Sequence, residues 1–311
     1  MNWINGVVFG VDNEIQLIEN IALFNSSRTL NTKELNHIQN IFKSVPVELT
    51  NPKFWKKYKS NNKYCNIMNT ILIIQARMSS TRLPGKILKK IEDKTVLQHC
   101  IDRCSKSKYI NKIIIATTTN TTDDVIKDYC VNNNILYHRG SENNVLKRFY
   151  DTACKYSPDI IIRLTSDCPL IDANILDSMM KQFIEKNMYF LQPKYSFGDN
   201  QKKMGGFPDG CNPQIFTFDI LKETYANVTS IFDKEHVCPY MVRKYATLPY
   251  SIPNIDKYDN IDLSKLHLSL DTPQDYTLIS TIFKKLYKEN PFFTIYDVLN
   301  IINNKIISLN Y

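Results

Sequence analysis

The chain has 311 residues, of which 43% are hydrophobic and 23% charged, and its formal net charge is +8. This composition is ordinary for a globular protein with a sizeable core and excludes a largely disordered chain. No charged segment followed by an apolar one opens the chain, and no apolar run approaches the ~20 residues of a membrane helix, so we expect a cytoplasmic protein without a membrane partner. The lysines are scattered and no basic stripe carries stacking aromatics, so we expect no nucleic-acid partner.

Residues 1–66 have a pattern of their own. They contain a short apolar run and two predicted helices, the second of which begins at an Asn31/Glu34 capping pair. The stretch 6–20 and the Asn-Pro-Lys-Phe-Trp run at 51–55 resemble the C-terminal end of an aldo-keto reductase. The barrel strands and the catalytic tyrosine and lysine of that family are missing. We therefore interpret residues 1–66 as a short helical N-terminal appendage that reduces nothing by itself.

From residue 70 to 311 we predict a second domain, in which strand and helix patterns alternate. Apolar β-branched runs predict strands at 71–75, 112–117, 135–138 and 159–165. Helical periodicity predicts helices between and after them, at about 94–107, 122–133, 144–156 and 172–187. This alternation predicts an α/β fold, a mostly parallel sheet with helices on both faces. The carboxyl ends of parallel strands lie along one edge, so the loops that follow them should converge.

Beyond residue 188 the alternation is looser. We predict a helix at 233–244, a strand at 265–270 and a final helix at 294–304. A further helix should begin at Thr272-Pro273, because a hydroxyl cap and a proline in the first turn are typical of a helix start. This part of the chain is expected to complete a binding site along the same edge of the sheet.

The segment 75–86 carries the strongest chemical signal. It reads Gln-Ala-Arg-Met-Ser-Ser-Thr-Arg-Leu-Pro-Gly-Lys and directly follows the first predicted strand. Three cations and three hydroxyls crowd one turn in which backbone N–H groups can also bind an anion, which predicts a triphosphate ligand. A basic surface loop is the plain alternative, but the buried strand and the Pro84-Gly85 bend favour phosphate binding. The segment is neither a Walker loop nor a dinucleotide fingerprint.

The same segment resembles the signature of the cytidylyltransferases that activate acidic sugars. The branch called spore coat polysaccharide biosynthesis protein F, a relative of the CMP-KDO and CMP-acylneuraminate synthetases, is the most similar. Further motifs follow in family order and extend the resemblance over about residues 70–288. They read Ala-Thr-Thr-Thr-Asn at 116–120, Arg-Gly-Ser-Glu at 139–142, Arg-Leu-Thr-Ser-Asp-Cys-Pro-Leu-Ile-Asp at 163–172, Pro-Asp-Gly at 208–210, Asp-Lys-Glu-His-Val at 233–237 and Asp-Thr-Pro-Gln-Asp at 271–275.

The resemblance implies a fold, an activity and roles for individual residues. The fold is the Rossmann-like nucleotide-diphospho-sugar transferase fold. The activity is formation of a CMP-activated acidic sugar from CTP with release of pyrophosphate, in surface polysaccharide biosynthesis. Catalysis falls to Arg77, Lys86, Asp167 and Asp271, with the two aspartates as ligands of a Mg²⁺ cofactor. The residues expected to bind the nucleotide are Ala76, Arg77, Ser79, Ser80, Arg82, Lys86, Thr117, Thr118 and Arg163.

Several alternatives stay open for these residues. The local sequence pattern alone allows Asp167 or Asp271 to be a helix or turn cap. Arg163 could neutralise Asp167 instead of binding phosphate. The expected partners are CTP and a sugar or sugar acid, and a homodimer is expected because relatives tend to dimerise.

The expected acceptor site departs from the family pattern. Its candidate residues are Asp209, Asn212, Gln214, Glu235 and His236. Where relatives commonly read Pro-Asp-Gly-Leu-Asp-Val-Glu-Val-Phe, this chain reads Pro-Asp-Gly-Cys-Asn-Pro-Gln-Ile-Phe at 208–216. Asn212 and Gln214 keep the hydrogen-bonding shape of carboxylates without their charges, so we expect a different acceptor or slower turnover. His267, like the other remaining histidines, shows no ligand spacing and is expected to be structural.

Two other functions compete with this interpretation. A glycosyltransferase on a related fold would use a ready-made nucleotide sugar, but its usual Asp-x-Asp metal motif is replaced by Ser-Asp-Cys at 166–168. A non-catalytic nucleotide-binding scaffold is supported by the altered segment 211–214.

Overall fold

The computed structural model describes residues 68–193, 208–245, 249–254, 257–258, 261 and 266–307. The predicted appendage at 1–66 lies outside the described residues. The strands are β1 (Thr70–Gln75), β2 (Lys90–Ile91), β3 (Lys94–Thr95), β4 (Lys112–Thr118), β5 (Leu136–Gly140), β6 (Ile160–Thr165), β7 (Phe190–Leu191) and β8 (Gln214–Thr217). The helices of four or more residues are α1 (Val96–Cys104), α2 (Asp124–Asn132), α3 (Val145–Tyr156), α4 (Ala173–Glu185), α5 (Phe218–Asn227), α6 (Ile231–His236), α7 (Pro239–Tyr245), α8 (Pro273–Leu286) and α9 (Ile295–Asn303).

Six of the strands form one sheet in the order β5-β4-β1-β6-β8-β7, and β2 and β3 form a separate two-stranded ladder. Strand β1 pairs in parallel with β4 and β6, and β4 pairs in parallel with β5. The edge is antiparallel, because β8 runs against both β6 and β7. Ile71 through Ile74 of β1 are completely buried, as expected for a central strand covered on both faces. The mostly parallel sheet confirms the predicted fold class.

Helices cover both faces of this sheet. One apolar cluster packs the even-numbered side chains of β1, such as Leu72 and Ile74, against α1, α2, α4, α8 and α9. The other packs Ile71 and Ile73 against α3, α5 and α7. Because successive side chains of a strand point to opposite faces, one β-branched run supplies both cores. No helix among the described residues is long and apolar enough to cross a bilayer.

The chain before α9 is fastened to the sheet domain by one buried arginine and one buried carboxylate. Arg103 of α1 is 4% exposed and donates to three carbonyl oxygens, those of Ile171, Pro291 and Phe293. Asp172 caps α4 through the Asn174 N–H and also accepts from the Ile295 N–H. These bonds satisfy buried polar groups that would otherwise lack partners.

The local predictions are mostly confirmed, with two corrections. The four parallel strands, the helices between them and the Thr272-Pro273 helix start are present. The helix predicted at 233–244 is wrong, because the chain breaks at Val237 (φ 68°) into α6 and α7. The strand predicted at 265–270 is wrong for residues 266–270, which make only a single bridge, between His267 and Asp209. The place beside β6 is taken by β8, so this segment has no strand to extend.

Candidate active site

A polar cleft of about 330 Å³ opens where the chain leaves β1 and β6. The side of the sheet with the carboxyl ends of these strands contributes the segments after Gln75 and after Thr165. Eleven of the residues predicted for the site line this cleft: Ala76, Arg77, Ser79, Ser80, Arg82, Lys86, Arg163, Asp167, Glu235, His236 and Asp271. The topology thus brings together residues that are nearly 200 positions apart in the sequence.

The loop 76–85 after β1 is held in a defined shape by backbone bonds and one buried carboxylate. Asp123, which is 1% exposed, accepts a hydrogen bond of 2.7 Å from the Met78 N–H and another from the Thr118 hydroxyl. Gly85 has a left-handed φ of 66° and precedes the 3₁₀ turn Lys86–Leu88. Glycine adopts this conformation without strain, so the chain can turn and carry Lys86 back under the loop.

Two of the family motifs support the same loop from the side. Glu142 accepts from the Ser79 hydroxyl and from the Asn120 side-chain amide. Arg139 donates to the carbonyl oxygens of Thr118 and Asn120 and pairs with Asp124 at 2.7 Å. The segments 116–120 and 139–142 therefore form a hydrogen-bonded frame beside the loop.

Lys86, Asp167 and Asp271 form an ionic centre at one end of the cleft. The Lys86 Nζ lies 2.6 Å from an oxygen of Asp167 and 2.8 Å from an oxygen of Asp271, and its side chain is 11% exposed. Arg82, whose side chain is 63% exposed, adds a contact of 3.1 Å to Asp271. Burial lowers the pKa of Lys86, but the charges of both aspartates and their hydrogen bonds outweigh it, so the net shift is upward.

His267 links this centre to the segment around Asp209, a role that the sequence did not reveal. Its Nδ1 lies 2.8 Å from an Asp209 oxygen, and its Nε2 lies 3.0 Å from the Ser269 hydroxyl and 3.4 Å from Asp271. The contacts with Asp209 and Asp271 raise the pKa of His267 to about 10. His267 and then Lys86 hold the pKa of Asp271 well below its usual range, against the opposing effect of burial.

Asp209 reaches His267 because Gly210 lets two backbones touch. Gly210 has a φ of 91°, and a Cβ atom there would lie 2.1 Å from the Ser269 nitrogen. The Asp209 N–H donates to the Leu266 carbonyl, and the Leu268 N–H donates to the Asp209 carbonyl. The glycine of the Pro-Asp-Gly motif is thus a structural requirement of this close approach.

Five of the predicted site residues do not line the cleft. Thr117 and Thr118 are fully buried in β4, where the Thr118 hydroxyl bonds Asp123. The other three contact other side chains: Asp209 contacts His267, the Asn212 amide donates to Asp209 at 2.9 Å, and the Gln214 Oε1 accepts from Arg163 at 2.5 Å.

Arg148 lines the cleft and was missed by the sequence reasoning. It is 2% exposed, and burial lowers its pKa to about 10, with a further contribution from the nearby charge of Arg77. A signal for it exists in the sequence, because Arg148 falls on the same helical face as the buried Val145, Phe149 and Thr152. Burying a charged side chain is costly, so a cation at a core-facing helix position indicates a role in binding or structure and not in solubility.

The described cysteines offer no nucleophile to this site. All seven are free, and burial raises the pKa of Cys168, which adjoins Asp167, well above its usual value. A buried thiol of this kind stays protonated and unreactive. Among the described residues, no three or more His, Cys, Asp or Glu side chains cluster so that protein groups alone could hold a metal.

The sequence profile of the family described as Cytidylyltransferase matches residues 71–296. The spore coat polysaccharide biosynthesis protein SpsF of Bacillus subtilis is 30% identical over 243 residues, which cover 76% of this chain and 95% of that protein. A 3-deoxy-manno-octulosonate cytidylyltransferase of Solibacter usitatus is 25% identical over 243 residues, or 68% of this chain and 93% of that protein.

Solved structures agree with these relationships. A cytidylyltransferase from Leptospira borgpetersenii superposes with a TM-score of 0.67 at 30% identity and covers 78% of this chain and 100% of its own. A CMP-2-keto-3-deoxy-manno-octonic acid synthetase complexed with CTP shares the fold, with a TM-score of 0.50 at 14% identity over 70% of this chain and 99% of its own. The resemblance drawn from the motifs is confirmed: the chain belongs to the cytidylyltransferase family of nucleotidyltransferase enzymes.

Proposed function

We propose that the protein is a Mg²⁺-dependent cytidylyltransferase that forms a CMP-activated sugar acid from CTP, with release of pyrophosphate, in surface polysaccharide biosynthesis. The observation that carries this proposal is the meeting of Lys86, Asp167 and Asp271 beneath the loop after β1. Lys86 and Asp271 are 185 positions apart, and a fold has little reason to bury such a triad beside a polar cleft unless it serves chemistry.

The loop 76–85 is the proposed triphosphate site. Arg77 and Lys86 would contact the β- and γ-phosphates, and Ser79, Ser80 and Arg82 would add hydrogen bonds. Transfer of the nucleotidyl group places negative charge on the departing pyrophosphate, so fixed cations near those oxygens favour the transition state over the ground state. Ala76 offers a small side chain against which the base can lie. The buried Thr117 and Thr118 would act on the nucleotide only through the frame they support.

The donor set of Asp167 and Asp271 fits Mg²⁺. Their oxygens converge on one atom, the Lys86 nitrogen, at 2.6 and 2.8 Å, so both carboxylates can face a single cation. Sites that hold Mg²⁺ with a nucleotide usually use one or two carboxylates and take the remaining oxygens from phosphate and water. When bound there, the ion would neutralise phosphate charge and lower the pKa of the attacking hydroxyl.

The protein's own residues would set the geometry of the acceptor. Glu235 and His236, at the end of α6, line the cleft and would orient sugar hydroxyls. Asp209 contacts His267 and accepts a hydrogen bond from Asn212, and Gln214 accepts one from Arg163. These residues would therefore affect acceptor binding indirectly, through the side chains that they contact.

Pyrophosphate release tests the proposal. The protein is incubated with Mg²⁺, one of CTP, UTP, ATP or GTP, and a panel of acidic and neutral sugars. We expect release with CTP and an acidic sugar, loss of it in Asp167→Asn, and normal release in Asp219→Asn, whose side chain is 86% exposed. Consumption of a nucleotide sugar with release of a nucleoside phosphate would instead identify a glycosyltransferase, and nucleotide binding without release would identify a scaffold.

A further inference from the structure

Two arginines outside the phosphate loop also line the cleft. Arg163 is on β6, three residues before Ser166, and Arg148 is on α3. Both line the cleft, and the Arg163 guanidinium carbon lies 6.0 Å from the ring centroid of Phe149, the neighbour of Arg148. This pair, Arg148 and Arg163, is called the arginine wall below.

Arg148 is buried without a carboxylate partner in the part of the chain that the structure describes. One Nη1 hydrogen bond of 2.6 Å reaches the Ser141 carbonyl, and its buried Nε has no hydrogen-bond partner. Two carboxylates act on its charge, Asp123 and Glu142, but both are engaged elsewhere. Burying a guanidinium without an anion is costly, so the fold maintains this position at the expense of stability.

The backbone is shaped to admit the Arg148 side chain. A Cβ atom at Gly140, the last residue of β5, would lie only 3.0 Å from the Arg148 Cγ and 3.2 Å from its Cβ. The absence of a side chain at Gly140 thus leaves room for the stem of Arg148. Together with its near-complete burial, this fit indicates a built site.

The hydrogen-bond partner of Arg163 is an amide, which brings no negative charge to it. Its Nη1 donates to the Gln214 Oε1 at 2.5 Å, and its Nε is buried without a partner. Gln214 is 8% exposed and is the direct register partner of Arg163 across β6 and β8. A glutamate in this place would neutralise the guanidinium, whereas glutamine accepts the hydrogen bond and leaves the positive charge available to the cleft.

Two other cations of the cleft are already paired with carboxylates. Lys86 bonds Asp167 and Asp271, and Arg82 also contacts Asp271. Within the described residues the arginine wall has no such ion pair. A carboxylate that entered the cleft would therefore meet, at this wall, the buried Arg148 and the half-buried Arg163, neither of which has an ion pair within the described residues.

We propose that the arginine wall is an anion subsite that binds the carboxylate of the acceptor sugar acid, and that Gln214 determines this specificity by giving Arg163 a hydrogen-bond partner without a negative charge. The inference rests on the proposed function and names the residues that recognise the acid. A carboxylate is favoured over a phosphate because Glu235 and His236, suited to sugar hydroxyls, line the same cleft, while the phosphate loop provides Arg77 and Lys86 of its own.

The test measures whether the protein binds sugar acids more tightly than neutral sugars. Saturation-transfer NMR measures binding of 3-deoxy-manno-octulosonate, glucuronate and galacturonate, with glucose and galactose as neutral counterparts. The protein is held with Mg²⁺ and a CTP analogue whose α,β-bridging oxygen is a methylene, so that no turnover occurs. We expect an acid to bind the wild type and its neutral counterpart to bind at least about tenfold more weakly, as the loss of a charged hydrogen bond predicts.

Three variants sharpen this result. Gln214→Glu and Arg163→Met should each weaken binding of the acid by about 10- to 100-fold and leave binding of the CTP analogue unchanged. Gln182→Glu introduces the same charge on α4, at a half-buried side chain whose Nε2 has no hydrogen-bond partner and which does not line the cleft, and it should bind like the wild type. Thermal unfolding confirms that each variant is folded.

Other outcomes overturn the inference without touching the proposed function. These are an absence of acid binding, equal binding of acids and neutral sugars, or acid binding that Gln214→Glu leaves intact. Weaker binding of the CTP analogue in Arg163→Met would assign the wall to the triphosphate. In each case pyrophosphate release from CTP by the wild type would still uphold the proposed function. Acid binding through the arginine wall without pyrophosphate release would refute the proposed function alone.

Discussion

Lys86→Met tests the ionic centre most directly. In the wild type the Lys86 ammonium lies 2.6 Å from Asp167 and 2.8 Å from Asp271, with 11% of its side chain exposed. Methionine keeps much of the length and the apolar stem but removes the charge. Two carboxylates then share one site, and within the described residues the exposed Arg82 and the neighbouring His267 are left to offset them. The variant should therefore lose both stability and activity.

The size of the stability loss follows from burial. Removing one partner of a fully buried ion pair costs about 3–5 kcal/mol, whereas an exposed pair contributes less than about 1 kcal/mol. The side chains of Asp167 and Asp271 are 21% and 19% exposed. We therefore expect the free energy of unfolding to fall by about 2 kcal/mol, between these limits. For a domain of this size, this corresponds to a Tm lower by roughly 4–8 °C.

The measurement is urea unfolding at pH 7 with EDTA, which keeps divalent metal out of the comparison. Lys90→Met, an exposed lysine on β2, is the matched control and should unfold like the wild type. In a double-mutant cycle with Asp271→Asn, the second change should recover about 1 kcal/mol of the loss, because it removes one of the opposed charges. With CTP and an accepted sugar, kcat should fall roughly 10²- to 10³-fold. Equal stability of Lys86→Met and Lys90→Met, or a cycle without coupling, would refute the reasoning.

Three further changes test the surrounding structure. Gly210→Ala should lower the free energy of unfolding by at least about 2 kcal/mol in chemical denaturation, because its Cβ would lie 2.1 Å from a backbone nitrogen and its φ of 91° suits glycine alone. Arg103→Met should cost about 3–5 kcal/mol in the same assay, since three buried carbonyl oxygens lose their donor; a loss under 1 kcal/mol would contradict this. Hydrogen bonds from Arg243 lower the pKa of Asp233 from 3.8, so their contribution is full above that pH and is lost as pH falls through the lowered value. The stability gap between wild type and Arg243→Met should therefore narrow on acidification below about pH 4, and a gap that widens there would show the sign to be wrong.

The ends of the parallel strands were predictable because their signals are local. An apolar β-branched run at 71–74 followed at once by cations and a Pro-Gly bend specifies both a buried strand and the loop that leaves it. The rule that parallel strands share one carboxyl edge then brings Asp167 towards Lys86 without any knowledge of their distance. The helix break near Val237 was also readable, because a proline at 239 rarely lies inside a helix and restricts the residue before it.

Other parts of the site depend on which segment fills which place. The run Leu-His-Leu-Ser-Leu-Asp at 266–271 alternates like a strand, and this alternation does put His267, Ser269 and Asp271 on one side, where they contact each other. The strand prediction for this run was wrong, because β8 returns antiparallel and occupies the edge of β6. Alternation of apolar and polar residues predicts which side chains lie on the same side of an extended segment. It does not predict which strand lies beside that segment, because segments far apart in the chain compete for the same place.

Charged side chains of the cleft belong to two sets. The satisfied set is paired with opposite charges of the protein, and the unsatisfied set is not. Lys86 and Arg82 are bonded to Asp167 and Asp271, which gives two positive and two negative charges and a centre that is nearly neutral before any ligand arrives. Such internal pairing fixes side chains in place and lowers the cost of ordering them on binding.

The charges of the unsatisfied set are not neutralised by the protein before a ligand binds. Arg148 is buried and Arg163 is half-buried, and within the described residues neither has a carboxylate ion-pair partner, so the free energy that an anion would gain there is stored as reduced stability. A site that is to distinguish an acid from a neutral sugar needs this second kind of cation, because a paired arginine would gain little from the carboxylate and lose little without it. The single amide at Gln214 separates the two cases, since a carboxylate in its place would move Arg163 from the unsatisfied set to the satisfied one.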